Sequence, residues 1–420
     1  MPVLQTPQRI YTREAISWAL FDFAATVFAM NVISRFAPLW IIKEKGGTDL
    51  MVSMAVIASL IPASIVNILL SPWSDATGRR AVFVRIFGLL CVAATASLGA
   101  NPALVVALAL IAVANFGNQC ASVFYTAMLP DVSTRRTLGR ISGLGIALGY
   151  VGTIVGLVLV ERFREEYESA SVVFAPTAVL FLLMALPQFL LVRDTQLRTG
   201  ANFHEAVRST WRELALIARL VWNHRRLRWF MLAMLVYMDV HGTATLYMAV
   251  YAHYAIGFSE TEKVVFGLSE ISFYLVVGTV FAVVGAWVCG QVADRVDKLK
   301  LLLTVLALWT VALMIAILSP VKWPFWLASP LIGMSMGGVW VLSRALLVEM
   351  GWPEHRTKLF MIFGLVGRAA GIVGPLTWGL AVHLAEPLGA HKYRVAVGTL
   401  LVLMVAAMAI IKHVIAIKER

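Results

Sequence analysis

The sequence predicts an all-α membrane protein with twelve transmembrane helices arranged as two six-helix, pseudo-symmetric bundles. Three observations carry this reading. Of 420 residues, 60% are hydrophobic and only 14% charged, whereas about a quarter of an ordinary soluble protein is charged. Apolar stretches of roughly 20 residues or more, enough to cross a hydrocarbon core of about 30 Å as a helix, recur from Ala15 almost to the C-terminus. An arginine-rich segment, 193–228, divides these stretches six and six. No polar stretch is long enough to build a domain outside the bilayer, which excludes a water-soluble enzyme. The net charge of +12 does not call for nucleic acid, because basic side chains at helix ends on one side of a membrane give the same excess.

Apolar windows bounded by charge clusters or Pro/Gly turns place the helices at 15–42, 50–73, 80–99, 103–128, 139–160, 171–192, 228–256, 264–290, 299–318, 323–349, 359–384 and 391–413. Arg9 and Arg13 precede the first stretch, and no small-residue cleavage site follows a short apolar core, so the first helix is expected to be retained. With a cytoplasmic N-terminus, 24 of the 35 Lys and Arg fall on inside segments and eight on outside segments. The positive-inside rule therefore puts both termini in the cytoplasm, and the short tails and loops fit a bacterial inner membrane. The expected division is an N-terminal bundle at 1–192, a cytoplasmic linker at 193–227 and a C-terminal bundle at 228–420. In the linker, Phe203, Val207, Trp211, Leu214, Ile217 and Val221 recur at helical spacing with arginines between them, which predicts an amphipathic helix on the inner leaflet. Cys91, Cys120 and Cys289 lie far apart in apolar stretches and read as packing residues.

The chain repeats itself. LSPWSDATGRR after the second helix and CGQVADRVDKLK after the eighth each set an Asp and then basic residues at an inner helix end, with Asp75 and Asp294 219 positions apart. GYVGTIVG (149–156) in the fifth helix matches GRAAGIVG (367–374) in the eleventh at an offset of 218. Six helices repeated in the same orientation is the layout in which transporters place a solute site between halves near the bilayer midplane. Asp75, Gly78, Arg79 and Arg80, echoed by Gly290, Ala293, Asp294 and Arg295, resemble the cytoplasmic loop signature of the major facilitator superfamily. The resemblance runs nearly the whole length of the chain. SWALFDFAATVFA (17–29), FYTAMLPD (124–131), GRISGLGIALGYVG (139–152), LSRALL (342–347) and FGLVGRAAGIVGP (363–375) are similar to the vacuolar amino-acid effluxer-like branch. The signature is departed from at Ser71, Ala76 and Asp297. The resemblance implies the major facilitator fold, alternating access, and gating by Asp75, Gly78, Arg79, Arg80, Asp294 and Arg295.

Arg35, Arg344 and Arg368 sit inside helices, where an ionised side chain usually faces a cavity or a partner. A guanidinium offers paired donors to a carboxylate or phosphate, so an anionic or zwitterionic, amino-acid-like solute is the economical candidate. Internal pairing would instead neutralise them, through Glu349 for Arg344 and Glu270 for Arg35. Asn31, Asn118, Tyr150 and Tyr237 are candidates to complete the pocket. Asp239, His241, Asp22 and Glu270 are candidates for proton coupling, since a buried carboxyl or imidazole with alternating access can load and release a proton. Met231, Met234, Met238 and His241 share one face of the seventh helix and suit Cu(I), which keeps copper as an alternative cargo. The same twelve helices would also serve a transporter of lipid or amphiphilic compounds, or a membrane sensor or assembly factor that transports nothing. No Walker sequence, HExxH motif or nucleophile-base set is present, so the expectation is a secondary transporter that is not an enzyme and needs no cofactor. Its partners are expected to be a small solute, protons and the bilayer, and one chain already contains both halves of a pathway, so a monomer is expected.

Overall fold

The computed structural model describes residues 12–133, 137–164, 169–194, 203–265, 267–293, 295–352 and 356–417. The first spanning helix is made of α1 (Arg13–Phe28), a π-helical stretch (Ala29–Phe36) and α2 (Ala37–Lys43). Thr12 caps it, its hydroxyl accepting from Ala15 N at 3.1 Å. Pro38 has no N–H to give the Ser34 carbonyl, and the wider π turn falls just before it. The N-terminal half continues with α3 (Asp49–Thr77), α4 (Arg80–Leu98), α5 (Leu104–Ala127), α6 (Leu138–Arg164) and α7 (Phe174–Leu191). After α8 (Phe203–Asn223), the C-terminal half comprises α9 (Arg225–Tyr254), α10 (Glu270–Val292), α11 (Lys298–Leu318), α12 (Lys322–Met350), α13 (Arg356–Leu384) and α14 (Lys392–Ala416). Eleven spans among the described residues are long and apolar enough to cross a membrane. The twelfth, α9, has 30 residues, and its arginines, Asp239 and His241 lower its apolarity. Proximal denotes the end of the bundle that carries Thr12, α8 and Ile417, and distal the opposite end.

Two expectations are corrected. The predicted start of the eighth helix, 264–269, instead forms a hairpin of β1 (Lys263–Val265) and β2 (Leu268–Ser269), turning through Gly267 at φ +74°. Helix α10 begins only at Glu270, with the Ser269 hydroxyl accepting from Ser272 N at 3.4 Å. In α8, Leu214, Ile217 and Val221 are buried in the protein's own core rather than given to lipid, packed where α8 meets α3, α9 and α13. Trp211, expected on the same face, is 51% exposed. The apolar stripe was real, but protein covers its C-terminal part.

The repeat reappears as paired interactions. Arg80 binds Asp131 at 2.8 Å at the proximal end of the N-terminal half, and Lys298 binds Glu349 at 2.7 Å in the C-terminal half. Both members are displaced by the same 218 positions. Within the C-terminal half, α10 and α12 approach almost backbone to backbone. A Cβ on Gly337 would lie 2.7 Å from Ala286 N and closer still to the Ala282 carbonyl, whereas a Cβ on Gly364 would meet nothing within 4 Å. Gly337→Val is therefore predicted to destabilise by at least about 1–3 kcal/mol through overpacking, read as a lower unfolding temperature in detergent. Gly364→Ala, which relieves a helical glycine of open surroundings, is predicted to be neutral or stabilising by up to about 1 kcal/mol.

Candidate functional site

A chamber of about 440 Å³ lies between the two halves. Its wall comes from the first spanning helix (Thr26, Ala29, Met30, Ser34), α6 (Tyr150, Thr153), α9, α10 and α12. The size is that of an organic-solute site. Most of the wall is apolar or aromatic, with hydroxyls of Ser34, Thr153, Thr245, Thr279 and Ser329 spaced around it. Among the described residues no Asp, Glu, Lys or Arg lines it. The small and hydroxylated residues gave little signal in the sequence, because Ser and Thr in a membrane helix return their O–H to the preceding turn, as Thr245 does to His241 O at 2.8 Å.

Of the residues expected to bind solute, only Tyr150 lines the chamber. Asn31 donates to Gly156 O at 3.2 Å and to Thr177 Oγ1 at 3.3 Å, tying together helices of one half. Tyr237 shares a 2.8 Å hydrogen bond with Ser343 between α9 and α12. Asn118 is buried in α5. Arg344 stands at the proximal side, one turn from the wall residue Trp340, with its guanidinium 5.2 Å from that ring's centroid. Asp22, one turn from Thr26, attracts it electrostatically from the opposite half, and Tyr150 lies within reach of both charges. Arg368 on α13 is half-buried. The anticipated pairing of Arg344 with Glu349 is absent, since Glu349 holds Lys298.

Arg35 is fully buried at the distal end, where it joins the halves. It donates to Ser272 Oγ at 2.9 Å and to Ser269 Oγ at 3.1 Å, and lies 3.8 Å from Glu161 and 3.9 Å from Glu260. Ser272 in turn donates to Glu161 at 2.6 Å, and Lys43 reaches Glu260 at 3.0 Å. The partner anticipated for Arg35, Glu270, is occupied by Lys322 at 2.6 Å and by Ser259 N at 2.6 Å. A second distal seam joins α3 to the other half. Asp49 accepts from Trp378 Nε1 and Tyr393 OH, both at 3.3 Å, while Tyr247 OH donates to the Asp49 carbonyl at 3.0 Å. Among the described residues, the hydrogen bonds and ion pairs that join the halves all lie in this distal part. The two proximal ion pairs between described residues, Arg80–Asp131 and Lys298–Glu349, each lie within one half. Arg80 holds Asp131, Gly78 ends α3 at φ +71°, and Arg79 and Arg295 are exposed. Asp294 and the Asp75 side chain lie outside the described residues.

The copper alternative loses its geometry. Met231, Met234 and Met238 are packed into the core, and only His241 of that set reaches the chamber. Trp340 Nε1 donates to His241 Nε2 at 3.2 Å, which assigns the ring proton to Nδ1 and leaves neither nitrogen free for a metal. Among the described residues no group of three or more His, Cys, Asp or Glu is placed to hold a metal ion.

The model of the Major Facilitator Superfamily matches residues 20–375. The chain belongs to that superfamily. It is 24% identical to an uncharacterized MFS-type transporter, YxiO, of Bacillus subtilis (strain 168), over 96% of this chain and 95% of that one. It is 23% identical to an uncharacterized protein of Aquifex aeolicus (strain VF5), over 89% and 90% of the two chains. Among solved structures it is similar to the nucleoside transporter NupG, with a TM-score of 0.71 at 12% identity over 96% of this chain and all of that one. It is also similar to a bacterial homolog of the human lysosomal transporter Spinster in an inward-facing, unoccupied conformation, with a TM-score of 0.73 at 12% identity over 97% and 98% of the two chains. At these identities the structural likeness shows the fold. The protein is an MFS transporter and not an enzyme.

Removing Arg35 leaves Glu161 and Glu260 buried without their shared cation. Arg35→Met is predicted to destabilise the distal-closed state by about 3–5 kcal/mol, and Lys43→Met, at a half-exposed partner, by less than about 1 kcal/mol. Unfolding temperatures of the two variants and labelling of distal cysteines would check this ordering. Equal effects would contradict the role of Arg35 as the centre of the seal.

Proposed function

We propose that this transporter is a proton-coupled secondary carrier of a small organic solute bearing an apolar body and one acidic or zwitterionic group. The observation that carries the reading is the chamber, walled by both halves, sealed distally by Arg35 and Asp49, with Arg344 at its proximal side. The apolar body occupies the wall of Met30, Met248, Ile332 and Met336. The acidic group meets Arg344, and Arg368 is a second guanidinium on the path. Neither arginine forms an ion pair among the described residues. Asp22 and Asp239 are the coupling carboxyls. His241, fixed by Trp340, orients the wall, and Glu270 serves the distal loop. With the arginine-rich proximal end in the cytoplasm of a bacterial inner membrane, the conformation described is closed to the outside. Arg79, Arg80 and Arg295, with Asp75 and Asp294, close the proximal end in the opposite state. The carrier works as a monomer.

An amphiphile or lipid cargo is the second reading, favoured by the mostly apolar wall and by its placement. The chamber is lined by α6 and α10 but by none of α3, α5 and α13.

A thermal-stability screen of purified protein against organic acids, amino acids, inorganic phosphate and lipids separates the readings. A ligand that binds only the folded state at about a hundred times its Kd stabilises by about 2.7 kcal/mol. Stabilisation is predicted for acids with aliphatic or aromatic bodies, lost in Arg344→Gln and retained in Lys43→Met. Stabilisation by lipid alone, or by an acid equally in Arg344→Gln, contradicts the acidic-solute reading.

A further inference from the structure

Asp239 is 4% exposed, and neither carboxyl oxygen has a hydrogen-bond partner. Helix α13 packs closely on one of these oxygens. Across the seam between α9 and α13, a Cβ on Gly374 would lie 2.8 Å from Asp239 Oδ1 and closer still to Thr243 Oγ1. Thr243 gives its own hydrogen to the Asp239 carbonyl at 2.8 Å, so its hydroxyl does not donate to the carboxyl. Among the described residues no cation is paired with it. Glu270, Glu349, Lys392, Arg394, Lys412 and the first-turn arginines of α9 stand toward helix ends; farther along the packed helices stand five groups, Arg35 of the π stretch, Arg344 of α12, Arg368 of α13 and the imidazoles of His241 and His413. Arg35 is committed to Glu161, Glu260 and two serines, and His241 to Trp340. His413 packs against Trp229, more than two turns from Asp239 along α9. None of the five bonds Asp239. An ionised carboxylate in such a place carries a solvation cost that nothing offsets, and the group stays neutral instead.

The same two helices carry the distal seam. Asp239, Thr243 and Tyr247 follow at intervals of four along one face of α9. Tyr247 stacks on Trp378 of α13, with centroids 4.9 Å apart and planes at 4°, and its hydroxyl oxygen lies 2.5 Å from that of Ser53 of α3. Ser53 donates to the carbonyl of Pro375, the residue after Gly374, at 2.5 Å. Four residues before Pro375, a Cβ on Gly371 would meet Leu60 of α3 at 3.3 Å. Helix α3 of the N-terminal half therefore lies over the part of α13 that covers Asp239. Moving α3 away removes Ser53 from Tyr247 and Pro375 and uncovers Gly371, which frees the α13 segment whose Gly374 lies on Thr243 and Asp239.

We infer that Asp239 is the proton site that controls the distal gate: protonated, it holds the α3–α9–α13 seam closed, and release of its proton opens that seam. This rests on the alternating-access reading and adds to it which of the two carboxyls acts on which gate. Linkage makes the effect reciprocal, so closing the seam also draws a proton onto Asp239. Asp22, the carboxyl that attracts Arg344 from the opposite half, serves the proximal side.

The test needs no solute. Spin labels at Val105→Cys and Leu388→Cys, which are 76% and 55% exposed at the distal ends of the two halves, report their separation in lipid nanodiscs once the three buried cysteines are replaced by alanine. In the wild-type background the ratio of long to short distances is expected to rise with pH, by as much as about tenfold per unit while one proton leaves. Asp239→Asn is expected to stay short at every pH, and Asp22→Asn to keep the wild-type slope. Asp239→Thr, another neutral side chain, repeats the Asn measurement if that variant unfolds. A wild-type slope in both neutral variants, or no opening of the parent at any pH, overturns the inference. Absence of solute binding would sink the proposed cargo and leave this measurement standing.

Discussion

A guanidinium held in the apolar distal half of the bundle sets the terms for the rest of the molecule. Arg35 cannot be left unsolvated, and among its described partners Glu161 comes from its own half. Ser269, Ser272 and Glu260 complete its surroundings from the other half. The charge is thus satisfied in two ways only, by the opposite half when the distal end is shut or by water when it is open. Intermediate separations satisfy it poorly, which makes the distal end a two-state element rather than a continuously adjustable one. The π turn and Pro38 matter here because they set the rotation at which Arg35 meets α10.

Duplication supplied the frame and divergence supplied direction. The proximal ion pairs Arg80–Asp131 and Lys298–Glu349 keep the same offset of 218 and the same job within each half. Asp22 with Thr26, and Asp239 with Thr243, also repeat, 217 positions apart. Each threonine bonds the carbonyl of its aspartate, at 2.9 and 2.8 Å, but the glycines on which the aspartates pack, Gly149 and Gly374, are not counterparts, since Gly374 aligns with Gly156. The two carboxyls also live in different places. Asp22 attracts Arg344 of the other half, and Asp239 is packed under Gly374 of α13 in its own half. Two copies of one local arrangement can therefore answer to opposite ends of the same pathway.

Helix number, helix position and the family were legible in the sequence because apolar length, end charges and a repeated loop are local signals. Depth along a helix was legible too, so Arg35, Arg344 and Asp239 were found as intramembrane charges. Partner choice was not. It depends on which helices are neighbours and how each is rotated, which is why Glu349 was assigned to Arg344 when it belongs to Lys298, and Glu270 to Arg35 when it belongs to Lys322. The start of the eighth helix failed for a different reason. KVVFGLS is apolar enough to read as helix, and only Gly267 at φ +74° forces the turn. The offset that exposed the glycine repeat would also have exposed the Asp-Thr pairs, had it been applied to the first and seventh helices beyond Asp22.

An apolar chamber with its charges kept to the rim has consequences for coupling. Burial of a solute's apolar body contributes about 25 cal/mol for each Å² removed from water and is non-directional, so the wall can hold a solute in either state of the carrier without favouring one. Discrimination between states must come from the rim. With no solute present, Asp22 and Arg344 attract each other from opposite halves without forming an ion pair. On the proposed reading, an arriving acidic group competes with Asp22 for the one guanidinium, and a carboxyl deprived of its counter-charge in a poorly solvated place is stabilised by taking a proton. Solute and proton then bind with the same sign of cooperativity through competition for Arg344. That requires no contact between them and no carboxylate in the chamber wall, which is the arrangement the wall has.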